Sequence, residues 1–189
     1  LATAARADCD QSVGEFVDIF GKVEAQITDG ADWSTATLDT SLCEGSSIRV
    51  GKQSRAAIAL SNDAVLRLDE NTTMRLVDVA ESDQDEEQSL LDIIKGAFHS
   101  FSRKPRKLSV NSPYLNGSIE GTEFVFRVTD EHTEITVFEG TVVAANEQGS
   151  VPVTSGEAAS ARQGQAPQAR TVVRPRDAAQ WSLYYPPIF

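Results

Sequence analysis

Few of the 189 residues are of the kinds that carry out chemistry, and those few are scattered. The two histidines, His99 and His132, could ligate a metal or carry a proton, but neither has a histidine or cysteine at metal-ligand spacing. His132 falls in "TDEHTE" and reads as a solvent-facing turn residue. His99, in "GAFHSF", reads as a strand residue alternating with Phe98 and Phe101. The run "SDQDEEQ" is rich in carboxylates, yet it lacks the sixth-position glycine and spaced terminal glutamate of a calcium loop. Gly121-Thr122 would cradle a phosphate only with a helix N-terminus behind it. Thr122 instead opens an alternating run, so Gly121 is expected to permit a bend or a close backbone approach within a sheet. No G-x-S-x-G elbow, phosphate-binding glycine loop or H-E-x-x-H occurs. No nucleophile, base and stabiliser stand together either. Catalytic residues, cofactor-binding residues and metal ligands are therefore all expected to be absent.

Covalent chemistry is limited to Cys9 and Cys43, the only cysteines. They follow an N-terminus, "LATAARADCD", whose Ala5-Arg6-Ala7 triplet has the form of a signal-peptide cleavage site. Residues 1–7 accordingly read as a signal-peptide remnant. In an exported protein an even cysteine count suggests one bridge, so a Cys9–Cys43 disulfide and a periplasmic location are expected together.

Composition bounds the rest. Hydrophobic residues make up 40% and charged residues 24%, as in ordinary soluble globular proteins. No apolar run approaches the roughly 20 residues that span a bilayer. The net charge of -11 is uneven: residues 1–92 carry 19 acids and 7 bases, residues 93–189 carry 9 acids and 10 bases. A chain this acidic lacks the basic face that wraps nucleic acid.

The elements that would position any site are strands. Val13 to Ile27 alternates Phe16, Asp18 and Phe20 against Val17 and Ile19, and Gly21 divides it into two short strands with a turn or bulge. "SSIRVGKQSRAAIALSNDAVLRLDENTTMRLVDV" gives four strands about eight residues apart, separated by Gly51-Lys52-Gln53, Asn62-Asp63 and Asp69-Glu70-Asn71. The acidic run 80–89 reads as one hairpin tip. The basic "RKPRK", Arg103 to Lys107, reads as another, joining "LLDIIKGAFHSF" to "KLSV". Thr122–Val128 and His132–Phe138 form an expected antiparallel hairpin with Phe124, Phe126, Val128, Ile135 and Val137 on one face. The fold class is thus all-β, many short antiparallel strands in a sandwich- or roll-like domain, with an irregular C-terminal segment. "SGEAASARQGQAPQART" reads as a thin last strand plus a linker, and the aromatic cluster of Trp181, Tyr184, Tyr185 and Phe189 as a segment that packs on something apolar.

Two blocks of sequence resemble the FecR domain family. The first carries Leu42, Gly45, Ile48, Gly51, Ser54, Arg55, Ala56, Ile58, Leu60, Leu66, Arg67, Leu68, Asn71 and Thr72. The second carries Val110, Ser112, Pro113, Gly121, Thr122 and Phe124. Ser46 stands where the family usually has aspartate, and Asn62-Asp63 replaces its common Asp-Gly turn. The resemblance implies an extracytoplasmic all-β module over residues 8–160 that binds other proteins. Residues 161–189 would then be a linker and an aromatic junction, similar to those that lead into helical repeats. The expected function is a non-enzymatic protein-binding or scaffold module in envelope signalling or assembly, with a protein partner in the cell envelope and no cofactor. Its expected partner contacts are Arg103, Lys104, Arg106 and Lys107. A cell-wall or carbohydrate-binding domain is the alternative class. Exposed aromatics clustered on one sheet face, or paired carboxylates across a cleft, would mark it.

Overall fold

A computed structural model describes residues 9–79 and 89–184, with Tyr184 described in its backbone alone. The signal remnant, the acidic run at 80–88, Tyr185 and Phe189 lie outside these residues.

Gly21 separates β1 (Gly14–Phe20) from β2 (Val23–Gln26), and two short strands follow, β3 (Ser34–Thr35) and β4 (Ser41–Leu42). The four-strand stretch appears as β5 (Ser47–Val50), β6 (Arg55–Leu60), β7 (Val65–Leu68) and β8 (Thr73–Asp78). Each of its three turns contains a non-glycine residue with positive φ: Gln53, Asp63 and Asn71. Asn and Asp tolerate that conformation better than most side chains. Three long strands come next, β9 (Ser89–Asn111), β10 (Asn116–Val128) and β11 (His132–Asn146). Then come β12 (Gly149–Thr154), β13 (Glu157–Arg162), β14 (Gln168–Thr171) and a 3-10 helix, Pro175–Tyr184. Two strands thus occupy the stretch read as a thin strand plus linker, and the sheet continues past residue 160.

The long strands each serve two sets of neighbours. In the first set, β4-β1-β6-β7 leads to residues 98–101 of β9, then 123–128 of β10, 133–137 of β11, and on to β13 and β14. In the second, 106–110 of β9 pair with 117–121 of β10, whose partners in β11 pair with β12. β3-β2-β5-β8 joins this side through 90–95 of β9. Every pairing is antiparallel. The long strands must therefore turn corners, which is how orthogonally packed sheets share strands. The ends of β9 show how sharply they turn. Asn111 Nδ2 donates to Asp92 Oδ1 at 3.0 Å, although 19 residues of straight strand would span about 60 Å.

Glycine makes the main corner possible. Gly121 of β10 pairs with Gly140 of β11. A Cβ on Gly121 would meet Glu139 O at 2.7 Å, and one on Gly140 (φ +114°) would meet Gly121 Cα at 2.4 Å. The backbones cross too closely for any side chain, so Gly121 is a structural hinge of the sheet. β9 rounds the same corner differently: between Phe101, opposite Glu123, and Arg106, opposite Gly121, it pushes residues 102–105 out of the ladder.

That geometry corrects the reading of Arg103 to Lys107 as a hairpin tip. β9 pairs with β10 before and after this stretch in the same direction, so the chain does not reverse. A basic, Pro-containing stretch signals an interruption of the ladder equally well when the interruption is a bulge.

The core lies between the two sets of strands. Phe98, Phe124, Phe126, Ile58, Leu66 and Leu68 face Ile48, Met74, Leu76, Leu91 and Ile93, all at most 3% exposed. Phe98 stacks on Phe126 at 5.9 Å between centroids and meets Phe124 edge-on at 5.8 Å. Phe124, Phe126, Val128, Ile135 and Val137 share the inward face as the alternation requires. In β1 the simple alternation fails. A register shift between Phe16 and Asp18 leaves Phe16 buried but turns Phe20 outward, 56% exposed beneath the Arg55 guanidinium. The Cys9–Cys43 disulfide ties the N-terminus to this core, where Cys43 is buried.

Candidate functional site: the outer face of the first strand set

The residues that alternate with the core build a second, unusual face. One cross-strand row runs Asp18, Ala57, Arg67, His99, Val125, Thr136, Ala158, Arg170. It points away from the main core, yet Ala57, His99, Val125, Thr136 and Ala158 are each at most 5% exposed. The 3-10 helix accounts for much of this. It packs on β11, and its own Ala179 and Ser182 are buried. Its Pro175, Asp177 and Ala178 line a hollow with Thr136 of that row.

An electrostatic latch holds the start of that helix. Glu123 of β10 accepts from Arg176 of the helix and is bonded to His99 Nε2 of β9 at 2.8 Å. The Arg176 guanidinium also lies 4.6 Å from the Phe138 ring centre, and His99 meets the same ring edge-on. Burial works against the Glu123 carboxylate, but the His99 and Arg176 hydrogen bonds outweigh it and hold its pKa down to about 2. A carboxylate so acidic is a poor general base near neutral pH. Glu123 is therefore suited to anchoring cations. Farther along, Trp181 donates Nε1–H to Ala178 O, and it borders a hollow with Phe20, Arg55, Asp69 and Glu70.

Sequence reasoning placed His99 on a strand but missed its partners. Residues 99, 123, 138 and 176 meet only through cross-strand register and the return of the C-terminus, and no local spacing announces that meeting.

Among the described residues, the opposite end of the same face forms a groove. Ala59, Val65 and Phe101, which form the next cross-strand row, floor a groove of about 480 Å³. Arg103, Lys104 and Arg106 border it. The four expected contact residues are not equivalent: Arg103, Lys104 and Lys107 are exposed, whereas Arg106 is folded in, 3.6 Å from Asp63. Among the described residues, no three His, Cys, Asp or Glu side chains are placed to hold a metal ion. No helix among them is long and apolar enough to cross a membrane.

The motif residues work in turns and corners. Ser54 Oγ accepts from Lys22 N and donates to Lys52 O. Thr72 Oγ1 accepts from Ala97 N and donates to Ala97 O, beside the positive-φ Gly96 of β9. Ser46, which replaces the usual aspartate, is fully buried; its hydroxyl accepts from Cys43 N and donates to Ile27 O. A carboxylate could not make the second bond.

Together these features define an all-antiparallel β module whose long strands turn corners between two packed layers. The chain belongs to the FecR family: the family model, described as FecR protein, matches residues 46–143, more than half of its length. Two crystal structures, at 2.50 and 1.65 Å resolution, have a similar fold. Both are described as a "putative anti-sigma factor" from Parabacteroides distasonis. Each shares 14% identity with this chain and superposes with a TM-score of 0.61 over 72% of it. The match spans only 63% and 64% of those two chains. No curated protein matches the sequence significantly.

Proposed function

We propose that this FecR-family module is a non-enzymatic, extracytoplasmic protein-binding domain, serving signalling or assembly in the cell envelope. The observation that carries this reading is the basic excursion of β9. Arg103, Lys104 and Lys107 stand exposed at a sheet corner beside an apolar-floored groove, on a chain whose net charge is -11. Such a local reversal of charge steers an acidic partner surface. Family membership supports a protein partner, as do the two similar structures, each described as an anti-sigma factor. The Cys9–Cys43 disulfide supports an oxidising compartment. The sheet presents the excursion, and β13, β14 and the 3-10 helix extend the same unit past residue 160.

A photo-crosslinking residue at position 104, in protein exported to the periplasm, tests this. A crosslinked protein should appear that excess wild-type module displaces. The Arg103→Ser, Lys104→Ser, Arg106→Ser, Lys107→Ser module should displace it far less well, most clearly at low salt. Equal displacement by both modules, or turnover of a glycan or peptide by the wild type, would overturn the reading.

A further inference from the structure

We infer that the outer edge of β14 receives an extended segment of the partner as an added strand, which sets one apolar side chain and one carboxylate over the hollow beside the 3-10 helix. The inference rests on the protein-binding reading above and adds a second surface, four strands along the sheet from β9.

β14 ends the first strand set and, among the described residues, pairs with β13 alone. All four of its residues are exposed. The ladder fixes which of its backbone groups face outward. Val172 N donates to Gly156 O at 3.0 Å, and the register runs without a shift from there to Gln168 opposite Ser160. Residues of an antiparallel strand alternate between bonding to one neighbour and facing away from it. Gln168, Arg170 and Val172 therefore face β13, and Ala169 and Thr171 turn N–H and C=O outward. Another extended backbone meets donors and acceptors at that spacing together, which is how strand addition recognises peptides.

The side chains of an added strand have a place beside this edge. Arg170 lies in the outer-face row, so alternate side chains of a new neighbour fall on that face. There Thr136, Val172, Pro175 and Ala178 line the hollow of about 430 Å³, large enough for a leucine. Val173, at the bend between strand and helix, is 93% exposed and adds apolar surface to the same hollow. The charge around the edge is one-sided. Residues 158–176 hold four arginines and no acid. Arg162, Arg170 and Arg176 are matched by Glu131, Glu134 and Glu123. Asp177 lies in the first helical turn, where the helix N-terminus suits a carboxylate. Arg174 lines the hollow and has no ion pair among the described residues. A carboxylate on the added strand would supply its counterpart.

The probe is the peptide Thr-Thr-Leu-Thr-Glu-Thr, titrated into the isotope-labelled whole chain and followed by amide NMR. The Ala169 and Thr171 amides should shift and gain protection from exchange. Two further probes are N-methylated at odd or at even positions. One keeps its N–H groups toward β14 and should bind like the parent. The other should bind about tenfold more weakly, as the loss of two hydrogen bonds requires. Thr171→Pro removes an outward N–H but no ladder bond, so it should keep the melting temperature and weaken the parent probe by a similar factor. Should that variant fold poorly, the methylated pair carries the test alone. Equal binding of the two methylated probes, or shifts that spare Ala169 and Thr171, would overturn the inference. Dimerisation that Thr171→Pro abolishes would give the edge to a second copy and exclude a partner segment. The crosslink at position 104 could still stand, so the two readings fail separately.

Discussion

The two apolar regions of this protein lie on opposite faces of the same strands and are built differently. The inner core uses large residues, with Phe98 and Phe126 stacked and leucines and isoleucines meeting them from both strand sets. The outer face uses small ones, Ala57, Ala97, Val125 and Ala158, and the 3-10 helix, whose Ala179 is buried, packs on its β11. Buried area sets most of the free energy of each contact. The inner face should therefore carry the stability of the fold, while the outer face holds its cover weakly enough to need an ion pair. The same strands thus present one face that dominates folding and one that holds the C-terminal helix.

The largest effect should come from placing a charge in the inner core. Phe124→Asp would leave an unpaired carboxylate beside Phe98, and the domain should show no cooperative melting transition. A cooperatively melting variant would erase the distinction between the faces. Next comes the corner on which both faces depend. Gly140→Ala forces a Cβ into the Gly121 backbone at positive φ, and a loss of several kcal/mol, on the order of 3, is expected in chemical denaturation. The disulfide should follow closely. Cys9→Ser with Cys43→Ser opens a loop with a sequence separation of 34, which the chain-entropy model values at about 3–4 kcal/mol. Calorimetry of the two forms would measure it.

The outer face should respond more gently and separately. Arg176→Ala removes the latch and should cost about 1 kcal/mol, with the main transition shifted by only a few degrees. Trp181 fluorescence, read in a Trp33→Phe background, should move toward that of free tryptophan. Acid should mimic the variant. The Glu123 carboxyl has a folded pKa of about 2, below its ordinary 4.5. Its contribution is thus complete above pH 4.5 and is lost as pH falls from there toward 2. In Glu123→Gln that acid-dependent part of the Trp181 signal should vanish. A Trp181 signal that changes only together with global unfolding would show that the helix belongs to the inner core's cooperative unit. The smallest effect on stability should come from changing the four bases at 103, 104, 106 and 107 to serine. The change should lie within about 0.5 kcal/mol, apart from what Arg106 gives Asp63.

How much of this was legible depended on the range of the interaction. The turns after β5, β6 and β7 were readable because a positive-φ position demands particular residues locally, and Asp63 and Asn71 supply them. The β10–β11 hairpin was readable because Phe124, Phe126, Ile135 and Val137 keep period two on both sides of a short turn. In β1 the period misled, since one bulge moved Phe20 to the face opposite Phe16. At Arg103 to Lys107 composition marked an interruption without saying whether the chain reversed, a question answered by which residues of β10 lie opposite.

By itself, then, the sequence determined an all-β chain, the inward face of its central hairpin, a glycine hinge at Gly121, and the two cysteines that join. Each follows from local backbone preference, from period-two patterning or from there being one possible pair. Tertiary structure alone decided that β9, β10 and β11 turn corners together. It also brought residues 99, 123, 138 and 176 into one latch and placed the 3-10 helix against β11. Those outcomes depend on cross-strand register and on where a distant C-terminal segment comes to rest. Both are set by packing summed over the whole chain, which no short stretch of sequence encodes.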